Sequence, residues 1–107
     1  MKLTHSLTLV AAAILEMDMD DQGGGRLWGY ALTKRSGVRS GVLYPQLDRM
    51  LQQGWVEDHW ESPTDISGKR PPRRYYTLTD DGRAELGAVI RRAQRDPRFG
   101  AMRAGLA

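Results

Sequence analysis

The chain has 107 residues, which is enough for one domain with one modest core. It contains no cysteine and only two histidines, His5 and His59, so the residues needed for disulfides, thiol catalysis and cysteine zinc sites are missing, and neither histidine has companion ligands for a metal ion. The net charge of +3 favours an anionic partner only weakly.

The first predicted element is a helix over residues 3–17, in which apolar residues recur every three or four positions. This apolar side has two interpretations of equal weight: a seam between two subunits, or one wall of a monomer core. The apolar run over residues 7–15 is far shorter than the roughly 18 residues of a membrane span. Acidic residues follow it at once, which argues against a secretion signal.

A loop over residues 18–25 leads to a second predicted helix over residues 27–34. The loop contains three consecutive glycines, but the surrounding pattern of a phosphate-binding loop is missing, which favours a flexible connector. Trp28 and Tyr30 are interpreted as core aromatics, with ligand binding as the less common alternative. Ser36 and Gly37 then form a tight turn.

The helix predicted over residues 39–54 is the centre of the sequence. Its apolar residues fall on one face, and the opposite face is polar: Leu43, Leu47, Met50 and Leu51 form the apolar stripe. Ser40 is the predicted N-cap, and Gly54 is placed to end the helix. Two short helices joined by a glycine-containing turn are typical of a helix-turn-helix, whose second helix enters the DNA major groove. For Tyr44, burial in the core and contact with DNA remain equally open.

The period changes after residue 54, and two segments alternate in the manner of strands: WVEDHWE and RRYYTLT. The loop between them is rich in proline, glycine and charge, and it is longer than a tight turn requires. Its basic end predicts contact with phosphate or with a minor groove, and a solvated charged hairpin is the alternative.

A last helix is predicted to begin at Thr79 or Asp80 as the N-cap. One apolar stripe follows along it: Leu86, Val89, Ile90 and Ala93. Pro97 should end this helix. We expect the remaining tail to be frayed, or ordered only by a partner.

Three segments resemble PadR-type transcriptional regulators: WGYALTKRSG, SGVLYPQLDRMLQQGWVE and PPRRYYTLTDDGRAEL. The likeness covers about residues 3–90. The fold class is then α+β and mainly α, a winged helix-turn-helix with a two-stranded wing and a C-terminal dimerisation helix. Residues 1–79 would form the DNA-binding domain, and residues 80–107 the dimerisation helix and tail.

The resemblance implies a homodimeric repressor that binds a palindromic promoter site in double-stranded DNA. A cytoplasmic, nucleoid-associated location follows from that role. The resemblance also extends to a small aromatic effector, but the last helix carries no tryptophan, which argues against it. No cofactor and no catalytic residue is expected, because no nucleophile has a companion base.

The predicted DNA-binding residues lie at the turn, on the second helix of the motif and on the wing. Arg39 is expected to read bases with help from Gln46 and Arg49, whereas Arg70 is expected to contact the backbone. The full set is Lys34, Arg39, Ser40, Gly41, Val42, Tyr44, Gln46, Arg49, Lys69, Arg70 and Arg73. The predicted dimerisation residues are Leu3, Leu7, Leu86, Val89, Ile90 and Ala93.

The main alternative is a winged-helix module that docks an acidic partner protein through its basic wing. That function predicts weak DNA binding without sequence selectivity and a stable complex with another polypeptide.

Overall fold

The computed structural model describes residues 1–20, 23–66, 68 and 70–99. Six elements follow in the order α1 (His5–Asp18), α2 (Gly29–Ser36), α3 (Ser40–Gln53), β1 (Val56–Trp60), β2 (Arg74–Leu78) and α4 (Asp80–Arg95). This is the predicted mainly helical fold with a two-stranded wing. None of the helices is long and apolar enough to span a bilayer, among the residues described.

Helix α1 lies against both α2 and α4 and supplies much of the core. It begins at His5, two residues later than predicted, because the Thr4 hydroxyl accepts a hydrogen bond from the Leu7 amide at 3.1 Å and caps the helix. Its far end is tied to α4 by Arg83, which donates to the Asp18 carboxylate at 2.9 Å. The apolar side of α1 forms one wall of the core of the single chain.

The predicted dimerisation stripe is largely buried inside the single chain. The enclosed residues are Leu3, Leu7, Leu86, Val89 and Ala93, each exposed by 8% or less. The apolar faces of α1 and α4 pack on each other, so these five side chains have almost no surface left for a second subunit. Of the predicted dimerisation residues, Ile90 is the one that keeps partial exposure.

Helix α2 begins at Gly29 rather than Leu27, because Leu27 pairs with the wing. Its amide donates to the Tyr76 carbonyl at 2.7 Å, and the Tyr76 amide donates back at 2.9 Å. This isolated antiparallel bridge places residue 27 beside β2. The pairing joins the start of the helix-turn-helix to the wing.

The turn between α2 and α3 has glycine at its left-handed position, Gly37, with φ of 72°. Ser36 stabilises the turn, since its hydroxyl accepts the Val38 amide at 3.0 Å. The N-cap of α3 is Arg39, with no side-chain cap, so the prediction of Ser40 as the cap is wrong. Gly54, with φ of 76°, ends α3 as predicted.

Strands β1 and β2 are antiparallel, with Val56 opposite Leu78 and Trp60 opposite Arg74. After β2, Thr79 caps α4, because its hydroxyl accepts the Gly82 amide at 2.9 Å. The same hydroxyl donates to the carbonyls of Gly54 and Trp55, which fixes the start of α4 beneath the end of α3.

The helix α4 ends before Pro97, as predicted. The next three residues form a 3-10 turn, in which Phe99 is buried and stacks with His5 at 6.1 Å between ring centroids. The expectation of a frayed tail is therefore wrong for Arg98 and Phe99. Residues 100–107 lie outside the described part of the chain.

Candidate nucleic-acid interface

The first turn of α3 is held out to solvent by a buried inner face. Leu43 and Leu47 are fully enclosed, so the opposite side of the helix must point outward. Four of the predicted DNA-binding residues are exposed at this start of the helix: Arg39, Ser40, Gly41 and Val42. Pro45 lies in the first half of the helix, where few backbone hydrogen bonds are lost.

Tyr44 lies on the same exposed surface, with 43% of the residue accessible, so the alternative of a buried core tyrosine does not hold. Its hydroxyl lies directly against the backbone of Gly29 at the start of α2. A β-carbon at residue 29 would overlap that hydroxyl. Glycine is therefore required there for α2 and α3 to approach each other as they do.

Gln46 does not belong to this surface. It is only 8% exposed, and its amide donates to the Ser6 hydroxyl of α1 at 3.1 Å. The structure therefore does not place Gln46 with the exposed residues expected to contact DNA, because position 46 falls on the inner side of the helix with Leu43 and Met50. Arg49 and Lys34 are exposed, and the Lys34 ammonium lies 5.3 Å from the centre of the Tyr30 ring.

The wing brings two of its predicted arginines to one end of the sheet. Arg73 has 62% of its side chain exposed, and its guanidinium lies 5.0 Å from the centre of the Trp28 ring. Arg70 has 38% of its side chain exposed and is held in an ion pair. Lys69 lies outside the described residues. Of these two arginines, Arg73 is the more exposed, and its Nε–H also donates to Glu61 at 3.3 Å.

The partner of Arg70 is Glu61, a residue that the sequence analysis did not single out. Its side chain is only 4% exposed. Arg70 donates to both carboxylate oxygens at 2.7 and 2.9 Å, and the Arg73 backbone amide donates to one of them at 2.9 Å. The bonds from Arg70 and Arg73 lower the pKa of Glu61 from 4.5 to about 2, against the opposing effect of burial. Glu61 therefore closes the base of the loop between the strands.

No group of three or more His, Asp or Glu side chains in the described part of the chain is arranged to hold a metal ion. The exposed surface offers hydrogen-bond donors and positive charge, which are suited to binding rather than to catalysis.

A model of the transcriptional regulator PadR-like family matches residues 23–88. This chain belongs to the PadR family. The match spans both helices of the helix-turn-helix, the wing and the first part of α4. PadR-family proteins are DNA-binding transcription regulators and not enzymes, so the chain is a transcription regulator.

Two solved structures have the same PadR-family fold. A PadR family transcription regulator from hypervirulent Clostridium difficile R20291 superposes with a TM-score of 0.62 at 18% identity, covering 97% of this chain and 100% of that one. A PadR-like transcriptional regulator from Bacillus cereus strain ATCC 14579 gives a TM-score of 0.58 at 21% identity, covering 92% and 87%. No protein of curated function matches the sequence.

Proposed function

We propose that this PadR-family regulator is a homodimeric repressor that binds a palindromic promoter site. The observation that carries the proposal is the exposed first turn of α3, held outward by Leu43 and Leu47 beside the exposed Arg73 of the wing. A helix presented in this way fits a major groove, and a cation beside it reaches the phosphate backbone.

The proposed roles of the basic residues follow from the exposure and the length of their side chains. Arg39 is the long donor at the start of α3, and a bidentate contact to guanine would give it a base-reading role. Arg73 would neutralise a phosphate, and Lys34 flanks the same surface. The proposed DNA-binding part comprises residues 1–79.

Residues 80–107 are proposed to supply the dimer contact, with help from α1. Because most of the apolar stripe is enclosed in the single chain, the contact would use what is still accessible, above all Ile90 on α4 and Leu9 on α1. In a twofold dimer on B-form DNA, the two α3 helices would lie roughly 34 Å apart. A cytoplasmic location accompanies this role.

The proposal is tested by titrating the purified protein against the DNA upstream of its own gene. A random duplex of equal length is the control, and both are measured at two salt concentrations. Selective binding that weakens steeply with salt supports the proposal, since released counterions dominate the affinity. Equal affinity for both duplexes would instead favour docking to an acidic partner protein.

Repression is tested separately with a reporter gene placed behind the same upstream DNA. Expression should fall when the protein is supplied and recover when Arg39 is replaced by alanine. Expression that rises with the protein would identify an activator.

A further inference from the structure

Glu61 and Arg73 lie at the two ends of the loop between the strands and are joined twice. The Glu61 amide donates to the Arg73 carbonyl at 2.9 Å, and the Arg73 amide donates to Oε1 of the Glu61 carboxylate at 2.9 Å. Glu61 is therefore fixed to Arg73 through both its backbone and its side chain. With only 4% of its side chain exposed, Glu61 lies inside the wing.

Two arginines separated by two prolines surround this one carboxylate. Arg70 donates to both oxygens at 2.7 and 2.9 Å, and the Arg73 Nε–H donates to Oε1 at 3.3 Å. Pro71 and Pro72 lie between the arginines and restrict the backbone, because a proline ring fixes φ near about −65°. Four consecutive residues therefore wrap around the Glu61 carboxylate.

The Arg73 guanidinium is also packed on its flat face. Its central carbon lies 5.0 Å from the centre of the Trp28 ring, and that ring in turn packs on Tyr75 with 5.1 Å between the ring centres. The Nε–H is directed at Glu61, whereas neither terminal Nη group donates a hydrogen bond to another described residue. The terminal groups therefore remain for an acceptor outside the chain.

We propose that Glu61 positions Arg73 for contact with a DNA phosphate. The inference rests on the phosphate contact proposed for Arg73 and adds the residue that holds its guanidinium in place. A guanidinium that is already fixed loses less conformational freedom on binding than one on a free side chain, so the same contact gives a higher affinity. The charge of Glu61 alone has the opposite effect, because a carboxylate near the duplex repels its phosphates.

The test is fluorescence anisotropy with a labelled random duplex, which reports backbone contacts and requires no palindromic site. Glu61→Gln leaves one acceptor oxygen in place of two and removes the charge, so Arg70 and Arg73 compete for that oxygen. We expect this variant to bind the duplex about threefold more weakly than the wild type, although the loss of a negative charge by itself would tighten binding.

Glu57→Gln is the matched control for the change in charge. It removes the same negative charge from an exposed position of β1. Because Glu57 is not bonded to Arg73, this variant should bind the random duplex at least as tightly as the wild type.

A double-mutant cycle separates positioning from a general loss of structure. Arg73→Ala should weaken binding to the random duplex about fivefold, and adding Glu61→Gln to it should change the affinity by less than about 1.5-fold. A purely structural role of Glu61 would weaken binding by the same factor with or without the Arg73 side chain. Circular dichroism checks that each variant is folded before it is titrated.

A second readout needs no DNA. The Arg73 Nε–H signal is identified in NMR spectra by its absence from Arg73→Ala. Its proton should exchange with water about fivefold faster in Glu61→Gln than in the wild type, because a hydrogen bond to a charged acceptor is weakened. This measurement holds even for a protein that is not a repressor.

Three results would overturn the positioning role alone. The first is a Glu61→Gln variant that binds the random duplex as tightly as the wild type or more tightly, while Arg73→Ala binds more weakly. The second is an equal loss of affinity from Glu61→Gln with and without the Arg73 side chain, and the third is unchanged exchange of the Arg73 Nε–H. Full affinity of Arg73→Ala would instead overturn the proposed phosphate contact, and the positioning role with it.

Discussion

At the scale of single residues, the surface proposed to meet DNA depends on which charges are free. Arg39 is exposed at the start of α3. On the wing, Arg70 and Arg73 both donate to Glu61, but Arg70 makes the shorter, two-pronged contact and Arg73 is the more exposed of the two. We therefore propose Arg73, rather than Arg70, for the backbone contact. Arg70 instead binds the Glu61 carboxylate within the wing.

Arg39→Ala is expected to lower the affinity for the promoter site about tenfold or more and to change the affinity for a random duplex little, because a base contact is lost. Arg73→Ala should lower both affinities alike and reduce the salt dependence, because a phosphate contact is lost. Fluorescence anisotropy with labelled duplexes measures both. If Arg39→Ala lowered both affinities by one factor, the assignment of base reading to Arg39 would be wrong.

Glu61 should make the wing sensitive to acid. Because its pKa is lowered from 4.5 to about 2 in the folded chain, its contribution to stability is fully present above pH 4.5 and is lost as the pH falls toward 2. Glu61→Gln should therefore be less stable than the wild type at neutral pH, and the difference should shrink between pH 4.5 and 2.

Urea unfolding across this pH range measures the difference. Glu57→Gln removes an exposed carboxylate of β1, the strand that ends just before Glu61, and is the control; it should not reproduce the difference seen for Glu61→Gln. A constant gap between wild type and Glu61→Gln down to pH 2 would show that the carboxylate is not held as described.

At the scale of elements, the periodic patterns predicted the four α-helices and two strands that the structure describes, because side-chain periodicity depends only on local geometry. The ends of the helices were less predictable, since contacts with residues distant in the sequence determine where a helix begins. Helix α2 starts late because Leu27 pairs with Tyr76, and Gln46 faces inward toward Ser6. Glu61 was not predicted, because its partners Arg70 and Arg73 follow it in the sequence only after a loop.

Replacing each of two glycines of α4 by alanine should change the stability of the fold in opposite directions. A β-carbon at Gly82 would overlap the Trp55 carbonyl, which is backbone and cannot turn away, so Gly82→Ala should destabilise the fold by about 1–3 kcal/mol. At Gly87 the nearest atom is the flexible end of Arg91, at 3.3 Å, so Gly87→Ala should stabilise by about 0.5–1 kcal/mol. Thermal unfolding of both variants checks the contrast, and a stabilised Gly82→Ala would contradict the close approach of α4 to Trp55.

At the scale of the whole molecule, the burial of a side chain distinguishes residues that stabilise the folded chain from residues that can contact a second subunit. Leu86 is fully enclosed between α1 and α4, so Leu86→Asp places a charge in the core and should cost more than about 3 kcal/mol of stability. Ile90 is half-buried at the edge of the same core, so Ile90→Asp should remain folded.

In the proposed dimer, Ile90→Asp should give a folded monomer with weakened promoter binding. Sedimentation velocity distinguishes a monomer from a dimer, and circular dichroism shows whether each variant is folded. A variant that stays dimeric would place the seam away from Ile90, and a well-folded Leu86→Asp would contradict the packing of α4 on α1.

The contact between Gly29 and Tyr44 has a consequence for engineering. The exposed face of α3 invites grafting, in which this helix, proposed to read the DNA, is exchanged among relatives to change operator preference. Because the Tyr44 hydroxyl occupies the space where a β-carbon of residue 29 would lie, residues 29 and 44 must be transferred together. A chimera that receives the tyrosine without the glycine should present its new helix at an altered angle, and its specificity would follow neither parent.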